Sequence, residues 1–312
     1  MKDTQSGLIE FAYYIAPDDT EYPLFGGKRA LMGWQNIGMP EIQHITDRGP
    51  FQHGETVRDY RFQPRIINLD IYERGCERDD FYCNEASLVD ALRPNRSATA
   101  AAGRLLFVRP DNVEIEILAH ILRGPSGDWG GGSNLSSFDL REPIRFLCPD
   151  PIFRLPTQVS TSFSVVAGAA CLSMCVPFSL SDTQINSTTT ITYTGTWDGD
   201  VLTIVITGPL TAPTITNTTT GKEIALNYSI STGEAVTISI TPEEVTVTNN
   251  SGANLIGTVV SVSNLVSFAL ATVSETTSTG ANLIRVTGSG VSDNTSIVLS
   301  YYIRHLSAFA PC

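Results

Sequence analysis

Along most of this chain the apolar positions recur at every second residue, in short runs. Ile224, Leu226, Tyr228 and Ile230 alternate with their neighbours, as do Val236, Ile238 and Ile240, then Val245 and Val247. Ile297, Leu299, Tyr301 and Ile303 repeat the pattern near the end. A period of two marks a strand with one face turned inward. From Val201 to Ile206 nearly every residue is apolar, which predicts a strand central in its sheet. Turn signals separate the runs at Gly208-Pro209, Thr220-Gly221, Thr232-Gly233, Asn249 to Gly252 and Asp293-Asn294. Short strands rich in threonine and β-branched residues predict an antiparallel β-sandwich with no helix.

The first half is also written largely in strands. Tyr60 and Phe62 alternate with polar residues, and Ile67, Leu69 and Ile71 continue in the opposite phase. That flip predicts one long strand with a bulge or bend at Pro64-Arg65. A helix is predicted over 84–93, with Asn84 as N-cap, an apolar stripe of Leu88, Val89 and Leu92, and Pro94 as its stop. Arg104 to Val108 and Val113 to Leu118 read as a hairpin with Val113, Ile115 and Ile117 inward and Glu114 and Glu116 outward. Residues 124–134 read as a flexible loop, after which Arg141 to Cys148 returns as a strand. The expected fold is mainly β: a barrel- or sandwich-like N-terminal β-domain with one helix, followed by the sandwich.

Composition places the boundary between the two. Seventeen of the 20 basic residues precede Pro156, and only Lys222, Arg285 and Arg304 follow it. The change comes just after Cys148-Pro149-Asp150-Pro151, where two prolines oppose both helix and strand pairing. Domains are therefore expected at 1–155 and 156–312, with the linker at 149–158. The formal net charge of −12 opposes nucleic-acid binding and adsorption to an anionic membrane. No apolar run approaches the ~20 residues of a membrane span, so no membrane insertion is expected. Met1 to Pro17 has no continuous apolar core and does not read as a signal peptide.

Candidate chemistry is sparse. His44, His53, His120 and His305 are far apart, and no GxSxG, HExxH or P-loop pattern occurs. A metal set of His44, His53 and Glu55 fits no known ligand spacing. No catalytic residue, metal or cofactor is expected, and the chain reads as a non-enzyme. The pairs Asp79-Asp80 and Glu243-Glu244 would, on strands, point to opposite faces and read as solvated charge. Cys76 and Cys83 bracket a polar segment, and Cys171 and Cys175 stand in a CxxxC spacing. Neither pair fits a zinc site; free thiols and, for the first pair, a loop disulfide both remain open.

Two groups of residues are candidates for binding. In the segment Tyr193 to Asp200, Trp197 lies beside Asp198 and Asp200. Either the tryptophan stacks on a sugar ring whose hydroxyls the carboxylates accept, or it caps the sandwich core above a hairpin turn. Arg58, Arg61, Arg65, Arg141 and Arg145 lie on or beside predicted strands, among acidic residues. Their planar guanidinium groups suit bidentate pairing across a subunit boundary, ordinary surface ion pairs being the alternative. Trp129, set among glycines, either docks into a neighbouring subunit or packs on its own domain.

Several segments, in order, resemble the phage distal tail proteins. They are Gly49 to Thr56, Tyr60 to Ile71, the helix end Leu92-Arg93-Pro94, Gly103 to Phe107 and Cys148 to Phe153. In the second half, Ile204 to Pro209, Pro213 to Gly221 and 231–247 resemble that family's galectin-like C-terminal sandwich. The resemblance implies a structural subunit that forms a ring, a hexamer, and joins the tail tube to the baseplate or tail tip. It implies further copies of the chain, the tail tube protein and tail-tip or fibre proteins as partners, with the second domain an attachment platform for fibre or receptor-binding proteins. It also implies a place in the virion tail after assembly in the host cytoplasm. A carbohydrate-binding adhesin recognising host polysaccharide is the alternative. Segments 73–84 and 124–134 depart from the family pattern.

Overall fold

The computed structural model describes residues 9–26, 29–74, 78–94, 101–125, 139–163, 184–200, 202–273 and 279–309. The chain forms two compact units, Met1–Pro156 with His305–Cys312, and Thr157–Arg304. The junction lies one residue from the expected boundary. The end of the chain, expected in the second domain, is part of the first unit.

The first unit opens with β1 (Phe11–Ile15), β2 (Glu21–Pro23) and β3 (Arg29–Gln35), followed by β4 (Ile42–Asp47) and β5 (Thr56–Phe62). Then come β6 (Arg65–Arg74), helix α1 (Arg78–Ala91), β7 (Gly103–Val108), β8 (Glu114–Arg123), β9 (Asp139–Cys148) and the short β10 (Phe153–Arg154). An antiparallel sheet runs β2-β1-β7-β8-β9-β6-β3. Leu105 and Phe107 of β7 share one core cluster with Ile67 and Leu69 of β6 and Phe146 of β9, near the other end of that order. A sheet whose distant strands meet in one core must curl around it. Leu88 and Leu92 close the cluster from the helix side. Fully burying such a side chain contributes roughly 1.5–3 kcal/mol.

Three local expectations need correction. The helix begins at Arg78, ahead of the predicted Asn84, and Asp79 and Asp80 occupy its first turn, where carboxylates favour the positive end of the helix dipole. Its inward stripe is Phe81, Leu88, Ala91 and Leu92, while Val89 is exposed. Second, β5 and β6 are not one bent strand. β5 pairs only with β4 in a separate two-stranded sheet, and β6 enters the main sheet. Third, Glu116 is buried although strand alternation placed it outward. Arg154 of β10 crosses over it at 2.8 Å, and Arg104 approaches its other oxygen at 3.6 Å. A buried carboxylate needs such partners, since its desolvation alone costs several kcal/mol.

The second unit contains β11 (Val159–Phe163), β12 (Gln184–Thr192), β13 (Leu202–Thr207), β14 (Leu210–Asn217), β15 (Lys222–Ala225) and β16 (Ser229–Ile230). β17 (Ala235–Ile240), β18 (Val245–Asn249), β19 (Ala281–Ser289) and β20 (Ser296–Tyr301) complete it. One sheet runs β11-β20-β13-β17-β18; the other runs β12-β19-β14-β15, with β16 on β14. Ile204, Ile206, Ile238, Val247 and Leu299 of the first sheet share a core cluster with Ile215, Ile224, Ile284 and Val286 of the second. β13 is the central strand, as its composition required.

After Arg304 the chain returns to the first unit. The Ala308 N–H donates to the Ile37 carbonyl at 2.9 Å. Arg65, 3% exposed, donates to four carbonyls: Pro151 at 3.0 Å, Asn36 at 2.7 Å, Gly38 at 2.6 Å and Leu306 at 3.0 Å. Its guanidinium carbon stands 4.7 Å from the centroid of the Phe153 ring. Burial lowers its pKa to about 10, so it stays charged at neutral pH.

His305 is buried in the same region, and burial, then the Arg109 charge, lowers its pKa to about 4 from 6.5. The folded state thus resists a proton that the unfolded chain accepts. The stability contribution is intact above pH 6.5 and is lost as pH falls toward 4. Urea unfolding at pH 7 and pH 4.5 should show a loss for the wild type that exceeds that of His305→Gln by about 2 kcal/mol. Equal losses would show that His305 is not the responsible group.

Candidate functional site

The hairpin β4–β5 is the one sheet of the described structure not built into a core. Residues 53–61 are all exposed, and β4 is exposed throughout. A lone two-stranded hairpin is at best marginally stable in water. This one nevertheless carries Ile42, Ile45, Val57 and Tyr60 on its exposed strands, and Phe51 in its turn is 98% exposed. Tyr60 and Phe62 pack edge to face, 5.9 Å between centroids. The pairs Ile42–Phe62 and His44–Tyr60 fix one face, and Gln43–Arg61 and Ile45–Asp59 the other. The hairpin is rooted by Arg65, whose carbonyl partners Asn36 and Gly38 immediately precede β4.

The predicted interface arginines fall into different roles. Arg58 and Arg61 are exposed on the hairpin. Arg58 pairs with Asp47 at 3.1 Å, and Arg61 donates to Gln43 Oε1 at 2.7 Å. Arg65 is a buried clamp and cannot reach another subunit. Arg145 donates to Asn68 Oδ1 at 3.0 Å and, with Trp34, Asp70 and Pro143, lines a cleft of about 320 Å³ on the sheet. The side chain of Arg141, all of Trp129, and Cys76, Cys171 and Cys175 lie outside the described residues. Cys83 is a free, exposed thiol, and Cys148 is free and buried. Burial pushes the Cys148 thiol up to about 12, which keeps it protonated and unreactive.

The segment from Tyr193 to Asp200 is a packed corner in which the four candidates separate. Tyr193 is fully buried; its hydroxyl donates to the Trp197 carbonyl at 2.7 Å and accepts the Arg304 N–H at 3.0 Å. Burial raises its phenol pKa further above the usual range. Asp200 forms an ion pair with the buried Arg304. Trp197 is half-buried, with its backbone bridged to Arg304. Asp198 lines a cleft of about 270 Å³ with Thr219, Thr220 and Lys222. Tyr193 and Asp200 are therefore structural, and no tryptophan platform flanked by two open carboxylates is assembled.

His44, His53 and Glu55 are exposed on the hairpin. Among the described residues no three His, Cys, Asp or Glu side chains gather into a metal-binding group. Sequence reasoning singled out the arginines of the hairpin but missed its apolar residues. Their signal was present in Ile42, Ile45 and Val57, which flank a polar turn with no matching core strand.

Two antiparallel β-units, one of them carrying an exposed apolar hairpin, define the fold class, a mainly β protein. The comparisons narrow that class. Residues 194–287 match the family described as the siphovirus-type tail component, C-terminal domain. No curated protein matches the chain in sequence. The solved structure of the Dit protein (gp 19.1) of phage SPP1 is similar in fold, with a TM-score of 0.57 and 11% identity, covering 94% of this chain and 98% of that one. That protein is described as a paradigm of the hub adsorption apparatus in phages infecting Gram-positive bacteria. A chain of the phage P2 baseplate, in its activated conformation with Ca, aligns at a TM-score of 0.45 and 9% identity over 94% of this chain and 97% of that one. Residues 194–287 are thus similar in sequence to the C-terminal domain of siphovirus-type tail components, and the chain shares the fold of the SPP1 Dit protein.

Proposed function

We propose that this protein is a tail component, a structural subunit that self-assembles into a closed ring, six-membered as the family resemblance implies. The ring joins the tail tube to the tail tip or baseplate, and the second unit serves as a platform for fibre or receptor-binding proteins. The observation that carries the self-assembly is the β4–β5 hairpin, which exposes Ile45, Phe51, Val57 and Tyr60 to solvent. Large apolar side chains left in solvent on both faces of a hairpin favour an interaction site. A ring needs one heterologous contact repeated around an axis, and a projecting arm is a simple way to provide one half of it. The role is geometric and not catalytic, and it is carried out in the virion tail after assembly in the host cytoplasm.

A saccharide-binding role for the second unit has a narrower basis, because of the four candidate residues only Asp198 lines a cleft. The ring reading is tested by light scattering of the full chain over a range of concentrations, with negative-stain imaging of the largest species. Association into one closed ring is expected. A monomer at every concentration would refute self-assembly as an intrinsic property of the chain.

A further inference from the structure

We propose that the cleft on the outward face of β3, β6 and β9 binds a neutral mono- or disaccharide through Asp70, Arg145 and Gln35. The inference concerns the first unit and does not rest on the self-assembly reading.

Strand register sets two rows of residues across these three strands. Gly33, Asp70 and Pro143 lie side by side in one row, and Gln35, Asn68 and Arg145 in the next. Their chain neighbours Leu69, Ile144 and Phe146 are buried in the core, so both rows face away from it. In the first row only Asp70 carries a projecting polar side chain. Glycine on one side of it and the short proline ring on the other leave a hollow of about 320 Å³ over the sheet. That volume lies at the lower end of the range for small-ligand sites, about 300–1,000 Å³. Trp34, packed against the core, and Pro143 supply its apolar lining.

The second row is a directed chain of hydrogen bonds. Arg145 Nε donates to Asn68 Oδ1 at 3.0 Å, and Asn68 Nδ2 donates to Gln35 Oε1 at 3.0 Å. Both ends keep donors to spare. The terminal nitrogens of Arg145 and the amide nitrogen of Gln35 have no further partner among the described residues. Asp70, in the adjacent row, offers acceptors, and an ionised carboxylate has about four lone-pair sites, more than one contact uses. A lining of both signs selects the ligand. A simple anion would meet Asp70, and a simple cation would meet Arg145. A hydroxyl both donates and accepts, so neighbouring hydroxyls of a sugar satisfy the carboxylate and the donors together. Its C–H surface takes the apolar lining.

The test is saturation-transfer difference NMR on the full chain, with glucose, galactose, rhamnose, N-acetylglucosamine, lactose and maltose at millimolar concentration. Transfer to at least one of these sugars is expected. Gly33→Val fills the hollow: a Cβ there stands 3.8 Å from Asp70 Oδ2, an ordinary contact, and a β-branched side chain suits a strand. Arg145→Gln removes the guanidinium from an exposed position. Each variant should weaken binding about tenfold or more with unchanged far-UV circular dichroism. Inorganic phosphate should not displace the sugar. Absence of transfer to every sugar of the panel would overturn the proposal, as would transfer that survives Arg145→Gln. Displacement by inorganic phosphate would overturn it in favour of a plain anion site. If Gly33→Val alters the fold, Arg145→Gln alone decides. Light scattering reads the ring separately, so either result here leaves that reading where it stands.

Discussion

Arg65→Ala is expected to destabilise the first unit by about 3–5 kcal/mol, a large share of the ~5–15 kcal/mol that typically holds a domain together. The side chain is 3% exposed and donates to carbonyls from three separate stretches of chain: 36–38, Pro151 and Leu306. Truncation leaves those oxygens without their donor, and unsatisfied buried polar groups carry their full desolvation cost. Arg65→Lys should recover part of the loss, because one ammonium keeps the charge but cannot span the same set of acceptors. Urea unfolding followed by far-UV circular dichroism gives both values. A loss under about 1 kcal/mol for Arg65→Ala would mean that the three stretches hold one another without the clamp.

In the second unit the largest effect is expected at Gly280. Its φ of +65° lies in the left-handed region, and a Cβ there would run into the Tyr193 carbonyl oxygen. The two residues are already joined by the Tyr193 N–H, which donates to the Gly280 carbonyl at 2.8 Å. Gly280→Ala must therefore both strain the backbone and push away a strand end that is hydrogen-bonded to it. About 3 kcal/mol or more of destabilisation is expected from the two effects together. Gly233→Ala is the control: its φ is +82°, but a Cβ there meets nothing within 4 Å. It should lose only about 1 kcal/mol, the conformational part. Thermal unfolding of both variants separates the effects, and equal losses would show that the crowding around Tyr193 is absorbed by relaxation.

The second unit was legible in the sequence because its stabilisation is written in local alternation. Ile204 and Ile206, Val236 and Ile238, and Ile297 and Leu299 each alternate with half-exposed neighbours, and each is nearly fully buried. The first unit was less legible where long-range partners decide burial. Glu116 follows the strand period outward, and Arg154, 38 residues away, together with Arg104 makes its burial tolerable. Arg65 looks like any strand arginine until 241 residues of chain bring Leu306 to it. The phase flip between Phe62 and Ile67 was a true signal read as a bend. It marks the passage from a free hairpin into the main sheet, and periodicity cannot distinguish those two cases. At the corner around Tyr193 the sequence left a sugar platform and a structural corner both open, because the partner of the phenol, the Arg304 N–H, lies 111 residues away.

The return of the chain to the first unit has a mechanical consequence. The second unit, Thr157–Arg304, is inserted into the first and leaves it by two covalent connections. On one side the connection follows β10, paired to β8 at Arg154 and Glu116; on the other it runs into the stretch held by Arg65 and Ile37. A force applied to the second unit is divided between two anchored strands and does not pull on a single linker. A cut in either connection leaves the unit attached, and a free swivel about one bond is ruled out by the second. A double tether transmits torque as well as tension.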